Sequence, residues 1–105
     1  MALEFTESNF ETEVLGSPVP VLVHFWVTWS GPCKMISPVV DRIATEMEGT
    51  AKVGKVEVDT NFELARRFNV RTVPSLLFFK NGELVDTITG ATSKDNIVNH
   101  LKALL

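Results

Sequence analysis

Strand-like and helix-like segments alternate along this chain as far as Asn81-Gly82, where two strand-like runs meet across a two-residue turn. Alternation of this kind favours parallel strands with crossover helices, because each helix returns the chain to the same end of a sheet. The turn has the opposite consequence. Asn-Gly tolerates positive φ at both positions, so Ser75–Lys80 and Glu83–Thr89 are expected to pair antiparallel. A fold meeting both conditions is α/β, with a mixed central β-sheet and helices on both faces.

Ala2–Phe5 reads as a short first strand. Ser8–Leu15 reads as a short helix with Phe10, Val14 and Leu15 on one face, and Ser8 with Glu11 has capping-box spacing. Gly16-Ser17-Pro18 ends it. Val21–Val27 reads as a buried strand, because its apolar run is continuous and rich in branched and aromatic side chains. Trp29-Ser30-Gly31-Pro32 is a loop, and Cys33–Met47 is a helix with Ile36, Val40 and Ile43 at helical spacing. Lys52–Asp59 is a strand and Phe62–Phe68 a short helix, with Asp59-Thr60-Asn61 as its cap. Ser93–Leu104 is the last helix, with His100 expected on its solvent side. The order is β-α-β-α-β-α-β-β-α.

The 105 residues suit one domain, 1–105, and the 45% apolar content supplies its core. A net charge of −3 and the lack of a Lys/Arg run argue against nucleic acid as a partner. The longest mostly apolar stretch, Val19–Val27, contains Pro20 and His24 and is far short of the ~20 residues that cross a bilayer. Met1-Ala2-Leu3-Glu4 lacks the basic start of a secretory signal, so a monomer in a cytoplasmic compartment, away from membranes, is expected. There is one cysteine, Cys33. It cannot form an intramolecular disulfide or a cysteine-based metal cage, and no metal or cofactor is expected. Taken alone, it reads as a small buried hydrophobe.

Its surroundings give a second reading. Ser30-Gly31-Pro32-Cys33 lies between a buried strand and a helix start, where open α/β sheets tend to bind ligands. Pro32 suits the first helical turn. Ser30 suits the N-cap, where its hydroxyl accepts a first-turn N–H. Cys33 then sits near the positive end of the helix dipole, which favours a thiolate, while burial opposes it.

Phe25-Trp26-Val27-Thr28-Trp29-Ser30-Gly31-Pro32-Cys33-Lys34 resembles the active-site segment of the thioredoxin family, which normally reads Trp-Cys-Gly-Pro-Cys-Lys. Arg71-Thr72-Val73-Pro74-Ser75, Phe79-Lys80-Asn81-Gly82-Glu83 and Gly90-Ala91 fall where the family carries similar residues, so the resemblance covers essentially the whole chain. It implies a thioredoxin fold and thiol-disulfide oxidoreductase chemistry, with protein disulfides as substrates and thioredoxin reductase as a candidate partner. It further implies that Trp29, Gly31 and Pro32 shape an exposed loop. Pro74 becomes a cis-proline facing that loop, Val73 offers backbone hydrogen bonds to an extended substrate, and Gly90 and Ala91 complete the groove. Without the resemblance, Val73-Pro74 reads as an ordinary strand-entry proline.

Two positions depart from the family pattern. Ser30 stands where the resemblance places the nucleophilic cysteine, and Cys33 where it places the resolving one. Exchange with a disulfide needs a thiolate, so the dithiol cycle is expected to be blocked, leaving monothiol chemistry at Cys33 or none. His24 stands where the family usually has a buried aspartate, and Lys55 matches the lysine near it. His24 is either a base for Cys33, acting directly or through water, or a core histidine hydrogen-bonded to backbone or water. The alternative to a redox protein is a binding module that uses the groove without any thiol.

Overall fold

A computed structural model describes the whole chain, Met1–Leu105. Five strands form one sheet: β1 (Leu3–Glu4), β2 (Val21–Trp26), β3 (Lys52–Glu57), β4 (Ser75–Lys80) and β5 (Glu83–Thr89). Their spatial order is β1-β3-β2-β4-β5. β1, β3 and β2 run parallel, whereas β4 is antiparallel to both β2 and β5. The hairpin turn adopts positive φ at both positions, 53° at Asn81 and 80° at Gly82. This matches the right-handed twist of the strands that it joins. The architecture is thus the mixed α/β sheet of the thioredoxin fold.

Three α-helices flank the sheet: α1 (Gly31–Glu46), α2 (Phe62–Arg67) and α3 (Lys94–Lys102). Side chains alternate across a strand, so β2 and β4 each feed two cores. On one face Val21, Val23, Phe25, Leu77 and Phe79 pack with Phe5, Phe10 and α2 residues Leu64 and Ala65. On the other, Leu22, Leu76 and Phe78 pack with Ile36, Val40 and Ile43 of α1 and Ile97 and Leu101 of α3. Phe78 and Phe79 therefore belong to different cores, and the register shift between them falls where β4 meets β5.

Three local expectations are corrected. Ser8–Leu15 is not an ordinary helix but a π-helical turn over Glu11–Leu15, closed by Gly16 N–H donating to the Glu11 carbonyl at 2.8 Å. The wider turn keeps both Phe10 and Val14 buried. No capping box forms, because the Ser8 hydroxyl is bonded to that of Thr6 at 2.9 Å. Asn61 precedes α2 but does not cap it. Its side-chain oxygen accepts from Glu7 N–H, and the Glu7 carboxylate accepts from Glu63 N–H at 2.8 Å, so a distant segment supplies the cap. His100 is not simply on the solvent side. It is half-buried, bonded to Asp86 at 2.5 Å, with its ring 5.7 Å from that of Phe78.

Gly54 is fixed by packing rather than by backbone conformation. A Cβ there would fall within 3.0 Å of three atoms of the buried Phe5 ring, so Phe5 lies flat against bare backbone. Overpacking a filled core costs ~1–3 kcal/mol. Gly54→Ala is expected to lower the urea midpoint accordingly, and Phe5→Leu added to it to recover part of the loss. Equal stability of Gly54→Ala and the parent in urea melts would contradict this packing.

Candidate active site

The loop between β2 and α1 lies at the carboxyl end of β2. Its conformation follows from the helix start. Ser30 has extended backbone (φ −99°, ψ 121°) and its Oγ accepts from Cys33 N–H at 3.2 Å, while Pro32 occupies the first turn of α1. A cap of this type stabilises a helix by about 1 kcal/mol. The Ser30 carbonyl also accepts from Lys34 N–H at 3.1 Å. Ser30 is therefore tied into the helix and only 9% exposed.

Cys33 is 0% exposed and is the chain's one cysteine, so no disulfide can form within the chain. Ser37 Oγ donates to the Cys33 carbonyl at 3.0 Å, which fixes the backbone of this turn.

Trp29, Gly31, Pro32 and Ala91 are exposed, Val73 and Gly90 are half-buried, and Pro74 is buried. Trp29 is 72% exposed, yet it is oriented, because its Nε1–H donates to Asp59 Oδ2 at 3.1 Å. The Val73–Pro74 peptide bond is cis. Gly90 N–H donates to the Pro74 carbonyl at 2.8 Å, and Ser75 Oγ donates to the Thr72 carbonyl at 2.6 Å. These bonds hold Val73-Pro74 and Gly90 together at the ends of β4 and β5. Gly90 adopts φ of 84°, and a Cβ built there meets nothing within 4 Å. Its role is therefore conformational, since such φ favours glycine.

His24 sits on β2 between Lys55 of β3 and Leu76 of β4. It is 0% exposed and faces α1 on the same side as Leu22. Neither ring nitrogen has a hydrogen-bond partner in the protein, so His24 makes no direct bond to Cys33. Burial, then the neighbouring Lys55 cation, pushes its pKa down from 6.5 to about 4, with Asp41 opposing them. The ring is accordingly neutral at pH 7. The Lys55 ammonium lies over the Trp26 ring, 5.2 Å from its centroid, where the face of the indole attracts a cation. Trp26 Nε1 is also buried without a partner.

Two groups at the site were not singled out by sequence. Asp59 was read as a helix cap but instead orients Trp29 from a loop thirty residues away. Asp41 influences His24 and also accepts from Ala2 N–H at 2.9 Å, which ties the N-terminus to α1. Neither long-range pairing has a local signature.

A family model described as thioredoxin matches residues 1–103. The chain belongs to the thioredoxin family. It is 46% identical over 101 residues to "Thioredoxin 1" of Nostoc sp. strain PCC 7120, covering 96% of this chain and 94% of the relative. It is 48% identical over 99 residues to the thioredoxin of Mycobacterium tuberculosis, covering 94% of this chain and 85% of that protein. The thioredoxin of Porphyra purpurea is 45% identical over 98 residues, with 93% and 92% covered. Thioredoxin-family proteins act as thiol-disulfide oxidoreductases on protein disulfides. No helix of this member is long and apolar enough to cross a membrane.

The buried imidazole has a consequence for stability. Unfolding restores an ordinary pKa of 6.5, so between pH 6.5 and about 4 the unfolded chain binds a proton that the folded chain does not. Folded stability therefore falls as pH drops through this window and levels off below it. A shift of this size amounts to about 3 kcal/mol. Urea melts at pH 7 and pH 4.5 are expected to show the parent losing ~2–3 kcal/mol more than His24→Leu over that interval. Parallel losses in the two proteins would show that His24 is not held neutral by the fold.

Proposed function

We propose that this thioredoxin-family chain holds extended peptide segments of disulfide-bearing proteins in its groove but does not complete a dithiol cycle. The observation that carries this reading is Ser30. An oxygen stands where the resemblance places the attacking sulfur, and it is engaged as the cap of α1. Disulfide exchange requires a thiolate that attacks one sulfur and expels the other. A serine hydroxyl is far too weak an acid, and oxygen cannot form the mixed disulfide.

The remaining sulfur is the fully buried Cys33. Its monothiol chemistry requires α1 or the loop to open first. His24 stays neutral at pH 7 and can take a proton, but without a direct bond to Cys33 any transfer between them runs through water. Burial first and Lys55 second keep that imidazole uncharged. A reductase docking on the loop face finds no disulfide within the chain to reduce.

Binding is a separate matter from chemistry. On this reading the exposed Trp29, Gly31, Pro32 and Ala91 and the half-buried Val73 and Gly90 offer the peptide apolar surface and backbone groups that need no thiol, while the buried Pro74 shapes the floor beneath them. The reading of the chain as a binding module is favoured by one observation, the oriented and exposed Trp29 indole.

Two measurements test the proposal. With dithiothreitol as reductant, the parent is expected to show no disulfide-reductase turnover above background. Ser30→Cys is expected to gain at least ~10³-fold, the scale on which loss of a covalent nucleophile acts. Turnover by the parent would show that Cys33 attacks substrates itself. Failure of Ser30→Cys would show that His24 or another change has also disabled the site. Native Cys33 is expected to resist a disulfide reagent and to titrate fully in urea. Rapid native labelling would contradict its burial.

A further inference from the structure

A cavity lies between the segment that leads into Val73-Pro74 and the end of β5. Its volume is about 240 Å³, and its lining includes Val70, Arg71, Thr72, Thr87 and Thr89. Two of these, Arg71 and Thr72, lead directly into Val73. Thr89 precedes Gly90 and pairs with Ser75 across the β4–β5 ladder. The cavity is thus bounded by the same chain segments that end in groove residues.

Its charge is one-sided. Arg71 is the one charged residue of the lining, and no carboxylate lies there. Asp86, the nearest acid along β5, is opposite Phe78, belongs to the other face of the sheet, and is bonded to His100. Nearby arginines are already paired, Arg66 with Glu63 and Arg67 with Glu11 at 2.7 Å. Arg71 has no acidic partner, in a chain whose net charge is −3.

The guanidinium is also oriented. α2 ends in a Schellman arrangement, with Asn69 N–H donating to the Arg66 carbonyl and Val70 N–H to the Ala65 carbonyl at 2.8 Å. Asn69 takes the left-handed φ of 58° that this ending requires. Its side-chain oxygen then accepts from Arg71 Nε–H at 3.0 Å. The Nε donor is occupied, which leaves the two Nη groups free to form a fork. Such a fork matches a carboxylate and holds it with charge-assisted hydrogen bonds. Leu77, Phe68 and Val70 supply apolar lining, and Thr72, Thr87 and Thr89 add to it.

We infer that this cavity is an acidic-residue subsite, receiving a glutamate side chain of the peptide that lies in the groove. The methylenes rest against the apolar lining and the carboxylate meets Arg71. The inference rests on the groove reading above and adds a sequence preference to it. Arg71 is a specificity-determining residue here and touches no reacting atom.

The test uses the parent chain and a series of synthetic decapeptides carrying one glutamate at successive positions, each paired with its glutamine counterpart. NMR titration follows the backbone amides of Val73, Gly90 and Ala91 for the groove and the Nε–H of Arg71 for the cavity. At one position the glutamate peptide is expected to bind about fivefold tighter than its glutamine counterpart, within the range of exposed charge pairs and charged hydrogen bonds. It is expected to shift both sets of signals. Arg71→Gln, a change at an exposed residue, is expected to erase the difference without weakening the glutamine peptide. Arg71→Lys is expected to keep only part of it. If groove amides respond equally to both peptides while the Arg71 signal stays still, the subsite is refuted and the groove reading stands. Movement of the Arg71 signal without the groove amides refutes the link between the two. No response to any peptide overturns both.

Discussion

β2 has neighbours on both edges and helices over both faces, so any polar side chain along it is stripped of water. The consequence falls on His24. A carboxylate at such a place carries its charge into the core or gives it up at a high cost. An imidazole has a cheaper escape, because it is neutral near pH 7 and needs only a modest push to stay so. Burial and Lys55 provide that push. The Lys55 ammonium, for its part, lies over the Trp26 ring rather than against an anion. Beneath the loop the chain thus carries a neutral ring beside a cation that lies over an aromatic face.

Ser30 illustrates how one atom can be lost to chemistry and kept for structure. The junction of β2 and α1 demands an extended residue with a side-chain acceptor, and serine meets both demands well. Cys33 N–H is satisfied, Pro32 is placed where its missing N–H has no consequence, and the loop projects Trp29 outward. Nothing in that geometry requires sulfur. The fold of the loop therefore holds with an oxygen at this position, and on the function proposed above peptide binding and redox chemistry are separable properties.

Much of this was legible in the sequence, for physical reasons. Apolar continuity marked β2, Asn81-Gly82 set the hairpin and its register, and the Ser30-Gly31-Pro32-Cys33 string carried its own cap. Each of these signals is local. Pairings across the fold were not legible. The Glu7 carboxylate capping α2, Asp59 holding Trp29, and Asn69 steering Arg71 through a helix ending all depend on which segments the topology brings together. The π-helical turn was missed because its periodicity over five residues differs too little from that of an α-helix. Local reading could place Ser30 and Cys33 but could not say that His24 would lack a bond to either.

That missing bond bears on what the chain can still do. A proton acceptor helps a buried thiol only if the two exchange protons within the lifetime of an encounter. Here the route is indirect, and the thiol is fully covered. Opening enough to expose Cys33 disturbs the first turn of α1, where Ser30, Pro32 and the Ser37 hydroxyl all contribute to order. That opening costs free energy, which thermal fluctuation or a bound partner supplies. On the function proposed above, peptide affinity does not wait on that opening, whereas any thiol chemistry does. On that reading, substitutions that weaken peptide binding at Trp29 or Val73 matter more than modest changes in the acidity of Cys33.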